Sequence, residues 1–270
     1  MELDPSAAGS GVTLIAHDSV GSTNAEALAR ARAGERGPLW ITAGRQTAGR
    51  GRRGRSFVSE PGNLFASLLL TDPSPADRAA ELSFVAALAL HDAICQIAPM
   101  LAGRLELKWP NDLLCDGAKL AGILVEGESG SGRPLAIVIG IGVNCAHHPD
   151  GLSYRATSLA ACGVTVTPQR LFAALSRSMV LRLAEWDRAT GFAATRRAWL
   201  ALATGLGQRV LVRLPEAELT GRFETLDAAG RLVLRRDDGG VELVTAGDMF
   251  PLASSAGAPA KPLPAARKPS

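Results

Sequence analysis

The sequence predicts an α/β (α+β) fold, a mixed β-sheet with helices packed on it, joined to a small antiparallel β-barrel. Three observations predict it. Apolar runs of strand length alternate with segments of helical period over the first two hundred residues, a β-rich stretch sits between them, and four short strands separated by turns follow Gly205. A chain of 270 residues can bury one full-sized core and a smaller second one. The expected division is a large domain over about 1–203, a small one over about 204–253, and a tail, 254–270, whose Ala, Pro and Ser content and lack of apolar period mark it as disordered.

VTLIAH at 12–17 reads as a strand, and DSVGS leads from it into TNAEALARARAG, a helix that Thr23 or Asn24 can cap and Gly34 ends. PLWITAG at about 38–43 is a second strand. The next eleven residues, RQTAGRGRRGR, have no apolar member beyond Ala48 and must form a loop. NLFASLLL at 63–70 has the continuous apolar character of a buried strand, and ELSFVAALALHDAICQIA that of a helix lying across a sheet. RLELKWPND, a hairpin turn at Asp116-Gly117, KLAGILVEGE and PLAIVIGIGVNC supply consecutive strands. Residues 168–201 repeat apolar positions every three to four residues as two helices, and QRVLVRL, LTGRFETLD, RLVLRR and VELVT form the barrel.

Composition narrows the function classes. A net charge of +3, despite a pI near 8.9, is too small for the broad basic surface of a dedicated nucleic-acid binder. No stretch of roughly 18 apolar residues stands out and the first ten residues carry no signal-peptide core, so a cytoplasmic protein without membrane contact is expected. Cys95, Cys115, Cys145 and Cys162 are far apart without a CxxC pair and read as reduced filler thiols. His147 and His148 precede a proline in a solvated loop and lack metal-ligand spacing. Of 29 basic residues only Lys108, Lys119, Lys261 and Lys268 are lysines, so the two in the folded part stand out as positions where a compact point charge is kept against a general use of arginine.

The loop Arg45–Arg55 holds five arginines and three glycines. Glycine lets backbone amides approach a ligand, and the guanidinium groups suit phosphate oxygens, so an anion is the natural partner. GxxxxGK[ST] is absent, which excludes a P-loop. A solvated turn or an RNA-binding Arg-Gly tether is the alternative for the loop taken alone, although the chain supplies few aromatic stacking platforms near it.

Five segments occur in order: Ser-Thr-Asn at 22–24, Gln-Thr-Ala-Gly-Arg-Gly-Arg-Arg-Gly-Arg at 46–55, Lys-Trp-Pro-Asn-Asp at 108–112, Lys-Leu-Ala-Gly-Ile-Leu-Val-Glu at 119–126 and Ile-Gly-Ile-Gly-Val-Asn at 139–144. Together they resemble the biotin protein ligases. The resemblance implies a biotin/lipoate protein ligase-like catalytic domain with an SH3-like barrel after it. It also implies an enzyme that makes biotinyl-5′-AMP from biotin and ATP and passes biotin to a lysine of the biotin carboxyl carrier protein of acetyl-CoA carboxylase. By the same resemblance Ser22, Thr23, Asn24, Gln46 and Gly122 are expected against biotin. Arg50, Gly51 and Arg52 are expected to fold over the adenylate, and Lys119 to lie beside the reacting carboxylate and α-phosphate, with Lys119, Arg52 and Arg50 as the catalytic cations. Arg52, Lys108, Asn111, Asp112, Gly142 and Asn144 are expected against ATP, with Mg²⁺ on Asp112. The family's Arg-Gly loop usually runs into a tryptophan, whereas Phe57 stands here and lacks an indole donor. Only 21 residues precede Ser22, so the DNA-binding module of some relatives is not expected. The enzyme is expected as a monomer or homodimer, and a lipoate protein ligase or octanoyltransferase is the nearest alternative.

Overall fold

The computed structural model describes residues 1–55, 57–130 and 132–252; the expected tail, 254–270, lies outside them. Among the described residues, twelve strands form two sheets. The larger contains β1 (Thr13–Val20), β2 (Leu39–Gln46), β3 (Leu64–Thr71), β4 (Leu105–Lys108), β5 (Asp112–Cys115), β6 (Ala118–Gly130) and β7 (Arg133–Val143), in the spatial order β1-β2-β3-β7-β6-β5-β4. Only β1 and β2 run parallel; every other neighbouring pair is antiparallel. The hairpin between β5 and β6 turns at Asp116 and Gly117, with φ of 50° and 72°, the paired positive values of a type I′ turn.

Alternation along the central strands assigns the two faces. Leu64, Ala66, Leu68 and Leu70 of β3, with Ile137, Ile139, Ile141 and Val143 of β7, point into the main core. There they meet α3 (Leu82–Ile97), α4 (Pro168–Trp186) and α5 (Phe192–Leu200), whose Leu88, Leu171, Phe172 and Trp199 are buried. The opposite face carries Leu69 and Val138, covered by Ala27 and Leu28 of α2 (Thr23–Arg32) in a separate, smaller cluster. Farther along that face the strands change character: β3 offers Phe65 and Ser67, and β7 offers Gly140 and Gly142. The helix covers the apolar half, and the half with small and polar residues stays open.

The segment Ala76–Ile97 is apolar enough, at mean hydropathy 1.4, to span a membrane by composition. Its α-helical part, α3, instead supplies the centre of the core against α4 and the sheet, which is what an apolar helix buried on most sides does. Ser22, one residue earlier than expected, is the N-cap of α2: its φ of −155° is extended and its hydroxyl accepts the Ala25 N–H at 3.5 Å. A short helix, α1 (Pro5–Gly9), precedes β1, capped by the Asp4 carboxylate; its five residues are too few to show a period in sequence.

The second sheet contains β8 (Arg209–Arg213), β9 (Glu218–Leu226), β10 (Leu232–Arg235), β11 (Val241–Val244) and β12 (Asp248–Pro251), all antiparallel, in the order β11-β10-β9-β8-β12. β12 is the strand that the four-strand expectation lacks. Its DMFP sequence is short and ends in proline, so alternation has no room to show. Val210, Val212, Phe223, Leu234 and Met249 join the core of the larger sheet rather than forming one of their own. Trp109, buried on the larger sheet's side, donates its indole N–H to the Gly230 carbonyl of the β9–β10 turn at 3.2 Å. Gly230 has φ +78°, and a Cβ there would lie 2.8 Å from Phe84, so neither the backbone nor the space admits another residue. The two sheets are thereby held in one geometry.

Changing Trp109 to Phe should keep the packing and leave the Gly230 carbonyl unpaired in a buried place. A loss of about 1–3 kcal/mol in unfolding free energy is expected from urea denaturation; an unchanged midpoint would show that this contact does not join the sheets.

Candidate functional site

The open half of the sheet is the floor of a cavity of about 570 Å³. At one end lies the N-terminus of α2, where the Ser-Thr-Asn turn faces β3 and β6. The Thr23 N–H and hydroxyl donate to Gln46 Oε1 at 2.9 and 3.0 Å, and the Gln46 amide donates to Ser59 Oγ at 2.9 Å. Ser67 Oγ lies 2.7 Å from Thr23 Oγ1 and 2.6 Å from Asn24 Oδ1, and Asn24 Nδ2 donates to Glu126 at 2.7 Å. These neutral groups hold one another in fixed orientations, which suits a ligand whose polar atoms need a donor and an acceptor in set places. The glycines of β7 make room for them. A Cβ on Gly140 would lie 2.2 Å from Asn24 Oδ1, and one on Gly142 2.6 Å from the Phe57 ring. Phe57 therefore forms an aromatic wall over Gly142, with its ring edge-on to Phe65 at 6.3 Å.

At the other end positive charge accumulates. Asp112, at the start of β5, is buried and binds both folded lysines: Lys108 Nζ is 3.0 Å from Oδ2 and Lys119 Nζ 2.7 Å from Oδ1. Burial pushes the Asp112 carboxyl up, but the Lys119 and Lys108 ammonium groups beside it outweigh burial and hold it below the ordinary carboxylate value. Two lysines on one carboxylate leave one positive charge in excess, directed at the cavity. Gly122 keeps the approach to Lys119 open, since a Cβ there would sit 3.3 Å from Nζ. Lys119 also lies 5.4 Å from the Tyr154 ring, and Lys108 the same distance from that of Phe250.

The arginine loop closes the roof. Arg52 donates to Asn111 Oδ1 at 3.1 Å and to the Gly247 carbonyl at 3.2 Å. Burial lowers its pKa, with Asp248 opposing that effect, and a guanidinium stays charged through such a change. Asp248, at the start of β12, takes three arginines: Arg52 at 3.7 Å, Arg53 at 3.5 Å and Arg55 closer still. Arg53, with φ 56°, turns the loop back through a single 3-10 turn, Arg52–Gly54. Arg50 reaches Glu126 at 3.3 Å. The roof thus joins the larger domain to the smaller sheet, with its charges held by Asp248 and the Gly247 carbonyl.

An array of fixed neutral hydrogen-bonding groups at one end and a cluster of cations at the other describes a pocket for a polar, uncharged head and an anionic tail. Comparison with known proteins agrees. Residues 20–144 match the model of the Biotin/lipoate A/B protein ligase family and residues 205–250 that of the Biotin protein ligase C terminal domain. The biotin--[acetyl-CoA-carboxylase] ligase of Paracoccus denitrificans is 43% identical over 236 residues, 85% of this chain and 96% of that protein. The chain belongs to the biotin protein ligase family. The ligase of the same name from Mycobacterium tuberculosis is 35% identical, over 86% of each chain. The biotin protein ligase from Aquifex aeolicus, solved in complex with biotin and ATP, superposes with a TM-score of 0.75 at 25% identity, covering 88% of this chain and 97% of that one.

Against the family resemblance, the ligase brings Ser22, Thr23, Asn24, Gln46, Arg50, Gly51, Arg52, Lys108, Asn111, Asp112, Lys119, Gly122 and Gly142 to one cavity. Asn144 stands apart: its side-chain amide donates to the Thr157 carbonyl at 2.9 Å, and it does not line the cavity. Asp248, Phe250, Tyr154 and Arg213 line it without any sequence motif to announce them. Mg²⁺ does not fit Asp112. Both carboxylate oxygens already face ammonium groups, which would repel a divalent cation.

A depressed carboxyl pKa contributes stability that is complete above its unfolded value, about 3.9, and is lost as pH falls through the folded one. Asp112→Asn should cost about 3–5 kcal/mol by removing the charge between two ammonium groups. Denaturation of wild type and variant should show a constant gap from neutral pH down to about the ordinary carboxylate value, and a narrowing gap below it. A gap that already closes near neutral pH would contradict the ionised carboxylate.

Proposed function

We propose that the protein is an ATP-dependent biotin ligase of the cytoplasm, which activates biotin as biotinyl-5′-AMP and transfers it to a specific lysine of the biotin carboxyl carrier protein of acetyl-CoA carboxylase. The observation that carries this reading is the cavity itself, with the Ser22–Asn24 turn and Gln46 at one end and Lys119, Arg52 and Lys108 at the other.

The ureido ring takes the neutral end, where Ser22, Thr23, Asn24 and Gln46 supply donors and acceptors and Gly140 and Gly142 let Asn24 and Phe57 close in around the bicyclic ring and chain. The carboxylate then points at Lys119. For it to attack the α-phosphate, two anions must come together while charge builds on the phosphoryl oxygens, so cations already in place lower the barrier without reorganising. Lys119 and Arg52 take this role, and Arg50 holds the loop against Glu126. One carboxylate oxygen bonds to the α-phosphorus, the bond to the β-phosphate bridge breaks, and pyrophosphate leaves. Lys108 and Asn111 face the nucleotide, with Asp112 acting by fixing the two lysines. Asn144 supports the nucleotide wall through Thr157. The mixed anhydride is prone to hydrolysis, and the roof of Arg50–Arg55, latched by Asp248, excludes water from it. A neutral lysine amine of the carrier then attacks the acyl carbon and displaces AMP. In this reading residues to about 203 form the catalytic domain, and an SH3-like domain over about 204–253 supplies the latch.

Biotin should drive exchange of labelled pyrophosphate into ATP, and lipoate should not. Exchange with lipoate alone would overturn the choice of acid, and exchange with neither would overturn the ligase reading. Lys119→Ala should slow exchange by an amount equal to about 2–4 kcal/mol of barrier, with thermal melting of the variant run alongside; full activity would remove Lys119 from the reaction.

A further inference from the structure

Cys115 and Cys162 are 47 positions apart in sequence, yet their sulfurs are 3.1 Å apart. Cys115 ends β5, three residues after Asp112, and is buried at 1% exposure. Cys162 lies in the tight turn Ser158–Gly163 and is partly open to solvent. Cys95 and Cys145 have no second sulfur near them among the described residues. Two thiols in contact, one buried and one reachable, are placed as an intramolecular pair, and closing them into a bond requires about 1 Å of further approach to a length near 2.05 Å.

The turn that carries Cys162 continues directly from the wall of the site. The Lys119 N–H donates to the Arg155 carbonyl at 2.8 Å, the Thr157 N–H returns to the Lys119 carbonyl at 2.9 Å, and Thr157 Oγ1 lies 3.5 Å from Cys162 Sγ. Tyr154, whose ring faces Lys119, sits on the same segment. On the other side of the pair, β5 carries Asp112, the partner of Lys119. A bond between the two sulfurs would tie the Tyr154 segment to the strand that positions the catalytic cation.

We propose that Cys115 and Cys162 form a reversible disulfide under a low-molecular-weight disulfide oxidant, and that this bond locks the Lys119–Tyr154 wall of the site. The exposed Cys162 thiolate attacks one sulfur of the oxidant, whose S–S bond breaks and releases the first thiol. Cys115 then loses its proton and attacks Cys162 Sγ, and the second thiol leaves. The protein gives up two electrons and two protons, and the oxidant becomes two thiols. The second step is the slow one, because the buried Cys115 thiol must lose its proton to attack and burial disfavours its thiolate. Locking therefore speeds up as pH rises. Arg104, which donates to the Cys162 carbonyl at 3.2 Å, is the cation that favours the Cys115 thiolate.

The test uses the full chain treated with oxidised glutathione, then peptide mapping without reduction. A single cross-linked species joining the peptides of Cys115 and Cys162 is expected, together with several-fold slower amide exchange over 152–160 and several-fold slower biotin-driven pyrophosphate exchange; dithiothreitol reverses all three. Cys162→Ser, a change outside the cavity lining that keeps a hydrogen-bonding group beside Thr157, should keep basal activity and lose the response. Cys115→Ala, checked by melting temperature, should stop at a mixed disulfide on Cys162. Mapping that finds glutathione on Cys162 in wild type without the cross-link overturns the pair. A cross-link that leaves amide exchange over 152–160 unchanged overturns the lock. The mapping and amide readouts do not depend on which acid the enzyme activates, so failure of the ligase reading and failure of this one are told apart.

Discussion

The charge triad of Asp112 with Lys108 and Lys119 is the constraint around which the site is built. A buried carboxylate between two ammonium groups is satisfied on both oxygens, so each lysine is held at one position instead of sampling the many rotamers of its stem. The excess positive charge faces the cavity, whose protein walls make its attraction for an anion larger than in bulk water. The same device recurs on the roof, where Asp248 holds three arginines. In both, a single carboxylate on a strand end orders several cations and leaves the group positive. Cations fixed in this way need little reorganisation to meet an anion, the condition under which electrostatic stabilisation is most effective.

The fold explains how these groups come together. β5 and β6 are joined by a two-residue turn and share register from Asp112 opposite Gly122, which places Lys119 beside Asp112 across the hairpin. β7 next to them carries glycine at 140 and 142 on the ligand side while its other face, Ile139 and Ile141, stays in the core. One strand therefore supplies packing on one side and, on the other, room for the Asn24 and Phe57 side chains that line the cavity. The smaller sheet is joined to the larger by a shared core and by the Trp109 to Gly230 hydrogen bond, so Asp248 reaches the arginine loop from a fixed platform.

Much of this was legible in the sequence. Six of the seven strands of the larger sheet, the four helices α2 to α5 and the Asp116-Gly117 turn follow from period and turn chemistry, because each is a local property of consecutive residues; β5, four residues long, reads in the sequence as part of the strand before it. The two folded lysines stood out against a chain that otherwise uses arginine, and the structure places them on one aspartate. Asp248, Tyr154 and Phe250 could not be read the same way. Each enters the site through a contact with residues dozens to hundreds of positions away, and nothing in its own neighbourhood marks it. The contact between Cys115 and Cys162 is of this kind too: spacing alone read them as unrelated thiols. Asn144, whose motif pointed to the nucleotide, also has a contact that its motif does not announce: its amide donates to the Thr157 carbonyl. The departure at Phe57 is resolved by packing: the ring fills the space over Gly142 that a larger indole would have to enter.

The central claim is that the cations are arranged for the acyl-adenylate rather than for either substrate. Calorimetric titration with a non-reactive mimic of biotinyl-5′-AMP, compared with biotin alone and AMP alone, tests it most directly. The mimic should bind far more tightly than either fragment, and Lys119→Ala should remove most of that advantage while leaving the affinity for biotin nearly intact. A mimic that binds no more tightly than biotin, or an advantage that survives the loss of Lys119, would contradict the account.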